Sequence, residues 1–388
     1  MVDAVAEVED LRRRGLFREL RIIESAPGPR VVLDGREVLL MCSNDYLGLT
    51  ADPVVRAAAV DAVERWGAGS GSSRLVSGNS GLHRALEVDL AAFKGYEECV
   101  LFGAGYLANV GVVAALASDG VVFSDALNHA SLIDGCRLAR AETVVYPHND
   151  VEALEMALRR AGQCTKTVVT EAVFSMDGDL APLAEIVEAA GRHGASVIVD
   201  EAHATGVVGP GGRGLVAELG LEREVDVVIG TLGKALGSFG AFACCDRSVA
   251  SLLVNRARTL VFSTGLPPSA VGASRAALDV LARHPELVDR LQANARVLRS
   301  ALRAGGFAVE PGPMPIVPLI VGKPREALRL CEETLRRGVF AQAIRPPTVP
   351  RGTSRLRVVA MATHTRDDLA SAVAALVAAA AERDAVAP

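Results

Sequence analysis

Lys234 lies on a glycine-rich segment, residues 230–237, that directly follows the apolar run 227–229. A lysine at the end of a buried strand is partly desolvated, which lowers its pKa and frees the amine for Schiff-base chemistry. A second apolar run, residues 196–199, ends in Asp200, and a carboxylate there costs energy unless a cation lies nearby. One lysine for an aldehyde and one acid for a pyridinium nitrogen predict a pyridoxal 5′-phosphate (PLP) enzyme.

Other polar side chains follow the ends of further apolar runs. In open parallel sheets, ligands bind beyond the carboxyl ends of the strands, so these side chains are candidates for one crevice. They are His129 after the run 121–123, Ser175 after 167–170, His203 after 196–199 and Thr231 after 227–229. Each has a structural alternative, since a histidine or aspartate can cap a helix and a serine or lysine can lie in a turn. Their shared location favours a functional site.

Three glycine-rich segments of the chain are candidates for binding a phosphate. Residues 101–109 predict a strand, a glycine turn and a helix whose first amides can hold a phosphate. Residues 206–214 contain a proline and lack the strand-to-helix context of a dinucleotide site, so a closely packed or mobile loop is expected. Residues 67–74 could hold an anion but lack the Gly-Lys-Ser/Thr ending of a P-loop. The first segment is therefore the predicted phosphate site.

The elements that must position these residues are short Val- and Ile-rich runs separated by helical patterns. Runs without polar alternation predict a mainly parallel sheet covered by helices on both faces, hence an α/β fold. The seven runs are residues 99–102, 121–123, 143–146, 167–170, 196–199, 227–229 and 241–244.

Three segments are predicted along the chain. Residues 1–45 form an N-terminal arm with a basic helix at 11–14 and a hairpin at 31–36, and residues 46–270 form a large cofactor-binding domain. Residues 271–388 form a linking helix and a smaller α+β domain. The helical pattern runs from 267 to about 304. The predicted elements beyond it are strands at 307–310, 316–321 and 355–359, a helix near 324–337 and a closing helix.

The composition excludes several classes of function. A net charge of −5 in 388 residues gives no basic surface for nucleic acid. The seven cysteines form no Cys-x-x-Cys pair and are expected to be reduced and mostly buried in a cytoplasmic protein, and no metal site is predicted. No apolar segment is long enough to cross a membrane, so no membrane partner is expected.

Nearly the whole chain resembles the α-oxoamine synthases, which are fold-type I PLP-dependent transferases related to aspartate aminotransferase. The resemblance implies a large, mainly parallel seven-stranded sheet domain and a smaller α+β C-terminal domain. The matching motifs are residues 43–49, 69–71, 74–78, 128–131, 173–179, 200–206, 231–234, 263–268 and 360–365.

The resemblance also implies the roles of the cofactor residues. Lys234 would hold the cofactor aldehyde, Asp200 the pyridinium nitrogen, and His129 would stack on the ring; these three are the predicted catalytic residues. His203 would contact the phenolic oxygen of the cofactor, and Ser175 and Thr231 would contact the phenolic oxygen and the phosphate. Gly105 and Tyr106 would contact the phosphate or the ring. Thr264 would reach the phosphate bound in the partner subunit. A homodimer with shared active sites follows from Thr264.

For the substrate, the resemblance implies decarboxylative condensation of L-alanine with a pimeloyl thioester, carried by coenzyme A (CoA) or an acyl-carrier protein (ACP), in biotin biosynthesis. The segment 343–353 favours this member of the family. The predicted substrate residues are Arg18, Asn44, Ser72, His129, Arg345 and Thr348, with Arg345 on the amino-acid carboxylate. The nearest alternative is the 2-amino-3-oxobutyrate CoA ligase reaction of glycine with acetyl-CoA. An aminotransferase and an inactive PLP-fold subunit are further alternatives.

Overall fold

The computed structural model describes residues 2–385, and these divide into two compact units. The sheet unit comprises residues 49–175 and 179–288, and the terminal unit comprises residues 2–48, 176–178 and 289–385. The predicted arm is therefore part of the same unit as the C-terminal segment. The predicted boundary near 270 differs from the observed division, which follows Val288.

The described residues form the following elements. The strands are β1 (Arg30–Leu33), β2 (Arg36–Leu40), β3 (Glu98–Phe102), β4 (Val121–Asp125), β5 (Glu142–Tyr146), β6 (Lys166–Glu171), β7 (Ser196–Asp200), β8 (Val227–Thr231), β9 (Ala241–Cys245), β10 (Ile316–Gly322), β11 (Val339–Phe340), β12 (Gln342–Ile344) and β13 (Ser354–Val359). The helices are α1 (Ala4–Arg13), α2 (Pro53–Trp66), α3 (Gly81–Lys94), α4 (Gly105–Leu116), α5 (Ala130–Ala139), α6 (Val151–Arg160), α7 (Leu183–Arg192), α8 (Leu215–Leu219), α9 (Arg247–Arg256), α10 (Arg258–Val261), α11 (Pro268–Arg283), α12 (Glu286–Ala304), α13 (Pro324–Arg336) and α14 (Arg366–Ala385).

All seven predicted strands of the large domain lie in one sheet, in the order β3-β9-β8-β7-β6-β4-β5. The strands from β8 to β5 are parallel, and β9 is antiparallel to both of its neighbours. Every residue of β6 and β9 is buried, as expected for strands covered on both faces. The predicted α/β fold with a mainly parallel seven-stranded sheet is confirmed.

This strand order brings the predicted site residues to one edge of the sheet. The four strands β4, β6, β7 and β8 are adjacent and parallel, so their carboxyl ends lie side by side. Their last residues are Asp125, Glu171, Asp200 and Thr231. Glu171 and Asp200 are direct partners in the register of β6 and β7. The edge thus carries two neighbouring carboxyl groups, and the segments that follow it carry the lysine and the histidines.

The predicted boundary at 270 lies within α11, a helix that belongs to the sheet unit. Pro267 and Pro268 begin this helix, which packs against α2 and α3. The helical stretch predicted from 267 to 304 is also two helices, since α11 ends at Arg283 and α12 begins after Pro285. A proline lacks the N–H needed to continue a helix, so it separates them.

In the terminal unit the structure departs from the sequence prediction at residues 307–310, which form no strand. The buried side chain of Arg299 from α12 donates to the carbonyls of Glu310, Met314 and Ile316, at 2.7, 3.0 and 2.6 Å. A side chain thus satisfies backbone groups that a strand neighbour would otherwise bind. The prediction also missed β11 and β12, which are two and three residues long.

Two small sheets complete the terminal unit, with the orders β1-β2-β11 and β10-β13-β12. The predicted hairpin is β1 and β2, and β11 from the C-terminal segment pairs parallel with β2. This pairing explains why the arm and the C-terminal segment form one unit. Among the described residues, no helix is both long and apolar enough to span a membrane. All seven cysteines are free thiols, five of them buried.

Candidate active site

Lys234 and His203 are brought together at the carboxyl edge of the sheet. Lys234 follows β8 on a turn that closes when the N–H of Leu232 donates to the Gly240 carbonyl at 2.9 Å. His203 follows β7 and is buried. The half-buried Lys234 places its Nζ 2.8 Å from Nε2 of His203. A proton on the lysine amine therefore has a hydrogen-bonding neighbour.

Asp200 is a buried carboxylate, 5% exposed, with a defined pair of donors. Asn109 Nδ2 donates to one carboxylate oxygen at 2.6 Å, and the N–H of Ala202 donates to the other at 2.8 Å. Hydrogen bonds to the charged form favour ionisation of a carboxyl group. The predicted partner of a pyridinium nitrogen is thus held as an acceptor at the end of β7.

A chain of hydrogen bonds joins Asp200 to His129. Asn109 Nδ2 also donates to the Ser131 hydroxyl at 2.8 Å, and that hydroxyl lies 2.7 Å from Nδ1 of His129. His129 is the N-cap of α5, as the structural alternative proposed, and is also part of the site. Surrounding protein atoms that displace water lower the pKa of His129, with Lys234 lowering it further against the opposing effect of Asp200. The imidazole is therefore neutral at pH 7.

Glu171 adds a second carboxyl group beside Asp200. It is 2% exposed, its Oε2 accepts from the N–H of Ser175 at 3.3 Å, and its Oε1 has no partner among the described residues. Burial, and then the charge of Asp200, raise the pKa of Glu171 well above its usual range. Glu171 therefore holds a proton more readily than an exposed glutamate does.

The predicted phosphate residues lie where α4 begins. Gly105 is the first residue of α4, and the position of a β-carbon there would be 3.9 Å from Cβ of Thr231. The Thr231 hydroxyl donates to the Gly240 carbonyl at 3.1 Å. An anion at this point would meet the free amides of a helix N-terminus. Tyr106 is 45% exposed, and its hydroxyl bonds Asp134 on α5.

Ser72 and Thr264 lie next to each other in the sheet unit. Ser73 and Thr264 form an antiparallel bridge, and the N–H of Gly265 donates to the Ser72 carbonyl at 3.0 Å. The side chain of Thr264 is exposed, so it is available to a group outside its own chain. The role predicted for it in a partner subunit stays a prediction.

Three of the predicted substrate residues cluster in the terminal unit. Arg18 Nη2 donates to the hydroxyl of Thr348 and to the carbonyl of Pro346, both at 3.3 Å. Arg345, 4% exposed, donates from Nη1 to the carbonyls of Gly15 and Phe17 at 2.6 and 3.1 Å. Part of the fork that was predicted to hold a carboxylate is thus occupied by backbone carbonyls.

Asn44, the fourth predicted substrate residue of this unit, accepts from Arg357 Nη1 at 3.0 Å. Arg357 lies on β13, is 5% exposed and also donates to the Tyr46 hydroxyl at 3.4 Å. The sequence analysis did not single out this arginine. Its signal was an arginine at alternate positions of an apolar strand, Arg355 and Arg357, where a buried charge needs a reason.

The sequence analysis also missed Asn109 and Ser131, and it gave Glu171 no role. Asn109 is the single amide side chain on α4, a helix whose other residues are apolar apart from Tyr106. A lone polar residue on a buried helix, one turn after the phosphate turn, was the available signal. Ser131 follows two residues after His129 and gave no signal of its own.

These donors and acceptors fit PLP. The buried site offers an amine for an aldehyde, an anion for a ring nitrogen and helix amides for a phosphate. It also holds buried oxygens, Oδ1 of Asn109 and Oε1 of Glu171, that have no partner among the described residues. Unpaired buried oxygens are costly, so a bound group with donors of its own would complete the site.

The comparisons with known proteins identify the family of the chain. The family described as Aminotransferase class I and II matches residues 36–376. The 8-amino-7-oxononanoate synthase of Geobacter sulfurreducens is 51% identical over 375 residues, which cover 95% of this chain and 96% of that protein.

Solved structures give the same picture. A serine palmitoyltransferase (SPT) structure with the PLP internal aldimine has a TM-score of 0.93 and 35% identity, covering 98% of both chains. The 8-amino-7-oxononanoate synthase of Francisella tularensis has a TM-score of 0.77 and 25% identity, covering 89% of this chain and 99% of that one. The chain therefore belongs to the aminotransferase class I and II family and, within it, to the α-oxoamine synthases.

Proposed function

We propose that the chain catalyses the PLP-dependent condensation of L-alanine with a pimeloyl thioester. The products are 8-amino-7-oxononanoate, CO2 and the free thiol, and the reaction belongs to biotin biosynthesis. The observation that carries the proposal is the 51% identity, over 95% of the chain, with an 8-amino-7-oxononanoate synthase. The 35% identity with the SPT structure is markedly lower, so that substrate class is less well supported.

PLP, when bound, supplies an electron sink for carbanion chemistry at the Cα of an amino acid. Lys234 would hold the cofactor aldehyde, and its amine would accept the proton from the Cα of alanine. His203, 2.8 Å from the lysine Nζ, shares that proton. Asp200, oriented by the donors Asn109 and Ala202, would hold the ring nitrogen of the cofactor.

His129 acts as a neutral imidazole in this proposal. Its lowered pKa keeps the ring uncharged at pH 7. The Ser131 hydroxyl binds Nδ1 and so fixes the orientation of the ring. Nε2 is then left to face the substrate, where it can polarise the carbonyl formed when the acyl group is transferred. A charged ring would instead repel the lysine amine. The pairing of a neutral histidine with an anionic aspartate supports this division of roles.

The test of the proposed function is thiol release by the purified enzyme with three donor pairs. These are L-alanine with pimeloyl-CoA, glycine with acetyl-CoA, and L-serine with palmitoyl-CoA. We expect alanine-dependent release from pimeloyl-CoA at the highest kcat/KM, with 8-amino-7-oxononanoate identified by mass spectrometry. Faster release with either other pair would assign the chain to another branch of the family. A Lys234→Ala variant measures the background release.

Two arginines are candidates for the carboxylate of alanine, and their contacts distinguish them. Arg345, the predicted ligand, donates from Nη1 to two backbone carbonyls. Arg357 instead donates to Asn44, which is itself a predicted substrate residue. We therefore expect Arg357→Lys to raise the KM for alanine at least ~10-fold, since a hydrogen bond to a charged group contributes ~1.5–3 kcal/mol. Arg345→Lys is the matched variant, with a smaller effect on the same KM. The reverse order of the two KM values would assign the carboxylate to Arg345.

We also propose a homodimer, which exposed apolar side chains of the sheet unit support. Val60, Phe262 and Val76 are 59%, 71% and 78% exposed, and a contact between subunits would remove such apolar surface from water. Sedimentation equilibrium is expected to give twice the chain mass of 40.5 kDa. Val76→Glu is expected to weaken the dimer, and Lys323→Glu, at a charged position that is 81% exposed, serves as control. A monomer at micromolar wild-type concentration would contradict the proposal. The cytoplasmic location stays a prediction of the sequence.

A further inference from the structure

His148 is bound on both sides of its ring by carboxylates. It follows β5, and its Nδ1 lies 3.0 Å from Oδ1 of Asp125, while its Nε2 lies 2.8 Å from Oδ2 of Asp179. The ring also meets Phe174 edge to face, with 4.4 Å between centroids and an interplanar angle of 89°. A ring that donates from both nitrogens is an imidazolium. The histidine is thus a partly buried cation, 26% exposed, that joins three different segments of the sheet unit.

The surroundings of His148 stabilise its charge. Burial alone lowers the pKa of His148, but its hydrogen bonds to Asp125 and Asp179, together with the charges of both, raise it to about 10. Asn149 belongs to the same cluster, because its N–H donates to Asp125 at 2.9 Å and its amide donates to Asp179 at 3.0 Å. These are the groups that face the ring from β4, from the β5 turn and from the segment after β6.

Asp125 connects the cluster to the turn that carries His129. Its Oδ1 also accepts from the N–H of Leu127 at 2.8 Å, and its carbonyl accepts from the N–H of Asn128 at 3.2 Å. Asn128 in turn donates to the Val169 carbonyl at 2.8 Å. The turn between β4 and α5 is therefore fixed from both ends, with His129 as the next residue.

Asp179 connects the cluster to the loop that carries Ser175. The N–H of Phe174 donates to the carbonyl of Asp179 at 3.0 Å, and Val173 forms an antiparallel bridge with Leu180. Phe174, which precedes Ser175, is the residue that packs on the His148 ring. The side chain of His148 thus binds the two aspartates that connect to two predicted cofactor contacts, Asp125 to the turn before His129 and Asp179 to the loop of Ser175.

We propose that His148 is a positioning residue of the cofactor site, a cation that locks the His129 turn and the Ser175 loop by binding Asp125 and Asp179 together. The proposal rests on the proposed function, since it requires PLP at this site. A histidine that only stabilised the fold would leave the bound cofactor unchanged. Cofactor affinity and the absorbance spectrum of the bound cofactor therefore separate the two roles.

The experiment compares full-length wild type with His148→Gln, Asp179→Asn and the control His193→Gln. His193 follows α7 and lies 3.6 Å from a single carboxylate, Glu155, away from the strand ends that carry the site. For His148→Gln we expect about tenfold weaker PLP binding by equilibrium dialysis, as for outer partners of bound groups elsewhere. We also expect a shifted cofactor spectrum and a lower kcat with little change in KM. Asp179→Asn, which alters a partly exposed group, keeps the test open if His148→Gln folds poorly.

The pH dependence gives an independent readout on the cofactor-free protein. The folded pKa of His148 is above that of a free histidine, so its contribution to stability is complete below about pH 6.5 and declines as pH rises through about 10. The difference in unfolding free energy between wild type and His148→Gln should therefore shrink between these values. The His193→Gln difference should not follow this course.

The outcomes are distinct. Unchanged PLP affinity and spectrum in His148→Gln, with only a lower melting temperature, would overturn the positioning role. Weaker PLP binding in His193→Gln to the same extent would overturn it as well. Absence of PLP binding by wild type would overturn both this inference and the proposed function. Weaker binding and a shifted spectrum in His148→Gln and Asp179→Asn, with non-additive effects in the double variant, would establish the inference.

Discussion

Lys234→Ala is expected to abolish turnover, with a loss of at least ~10³-fold in kcat. In the proposed function the amine at this position carries both the covalent link to the cofactor and the proton transfer at Cα, and general acid–base catalysis alone contributes ~10²–10⁴-fold. The contact between Nζ and Nε2 of His203 at 2.8 Å is lost with it. The first measurement is thiol release from pimeloyl-CoA. The second is the amount of cofactor that stays on the chain when the protein is reduced with borohydride and then passed through gel filtration in denaturant.

The matched control for this prediction is Lys323→Ala. The side chain of Lys323 is 81% exposed, and its one described ion pair, with Glu326, spans 3.7 Å. Such a pair contributes little to stability, so this variant should keep wild-type turnover and reducible cofactor. Retained turnover in Lys234→Ala would remove the lysine from the mechanism. Lost turnover in both variants would point to a general effect on the protein.

Asp200→Asn is expected to lower kcat by roughly 10²–10³-fold, the effect of removing one preorganised electrostatic group. The change keeps the size of the side chain but removes the anion that holds the proton on the cofactor nitrogen. An asparagine has a single side-chain oxygen, so one of the two donors to Asp200, Asn109 Nδ2 or the N–H of Ala202, also loses its acceptor. The measurement is kcat with alanine and pimeloyl-CoA, together with the absorbance of the bound cofactor across pH 6–9.

Asp226→Asn is the control for Asp200→Asn. Asp226 precedes β8, at the opposite end of the strands from the site, and its Oδ2 accepts from the N–H of Val197 at 2.7 Å. Burial raises the pKa of Asp226. Both variants replace an aspartate next to this sheet by an amide of nearly the same size. We expect Asp226→Asn to affect stability and to leave kcat near that of wild type. Wild-type kcat in Asp200→Asn would show that the anion is dispensable.

The sequence predicted a large part of the candidate site because the chemistry lies at strand ends. An apolar run of four or five residues marks a buried strand, and the first polar residues after it must lie at the edge of the sheet. Asp200, His203 and Lys234 were predicted in this way, and the structure brings them to one edge. The resemblance added the role of each residue and the homodimer.

The partners of these residues could not be predicted from local patterns. Asn109 and Asp200 are 91 positions apart, and they meet because α4 packs against β8, the strand beside β7 in the sheet. Burial raises the pKa of Glu171, and the parallel pairing of β6 with β7 raises it further because it sets the residue beside Asp200. Strand order and pairing are decided by packing over the whole chain.

The sequence by itself therefore determined the seven strands, the α/β class and the candidate residues for the chemistry, since each depends on a local pattern of polarity. Only the tertiary structure decided the antiparallel β9, the pairing of β11 with β2, and the irregular segment at 307–310 that Arg299 binds. It also decided the link from His148 to Asp125 and Asp179. The physical reason is that hydrogen-bond partners far apart in the chain are selected by the folded arrangement as a whole.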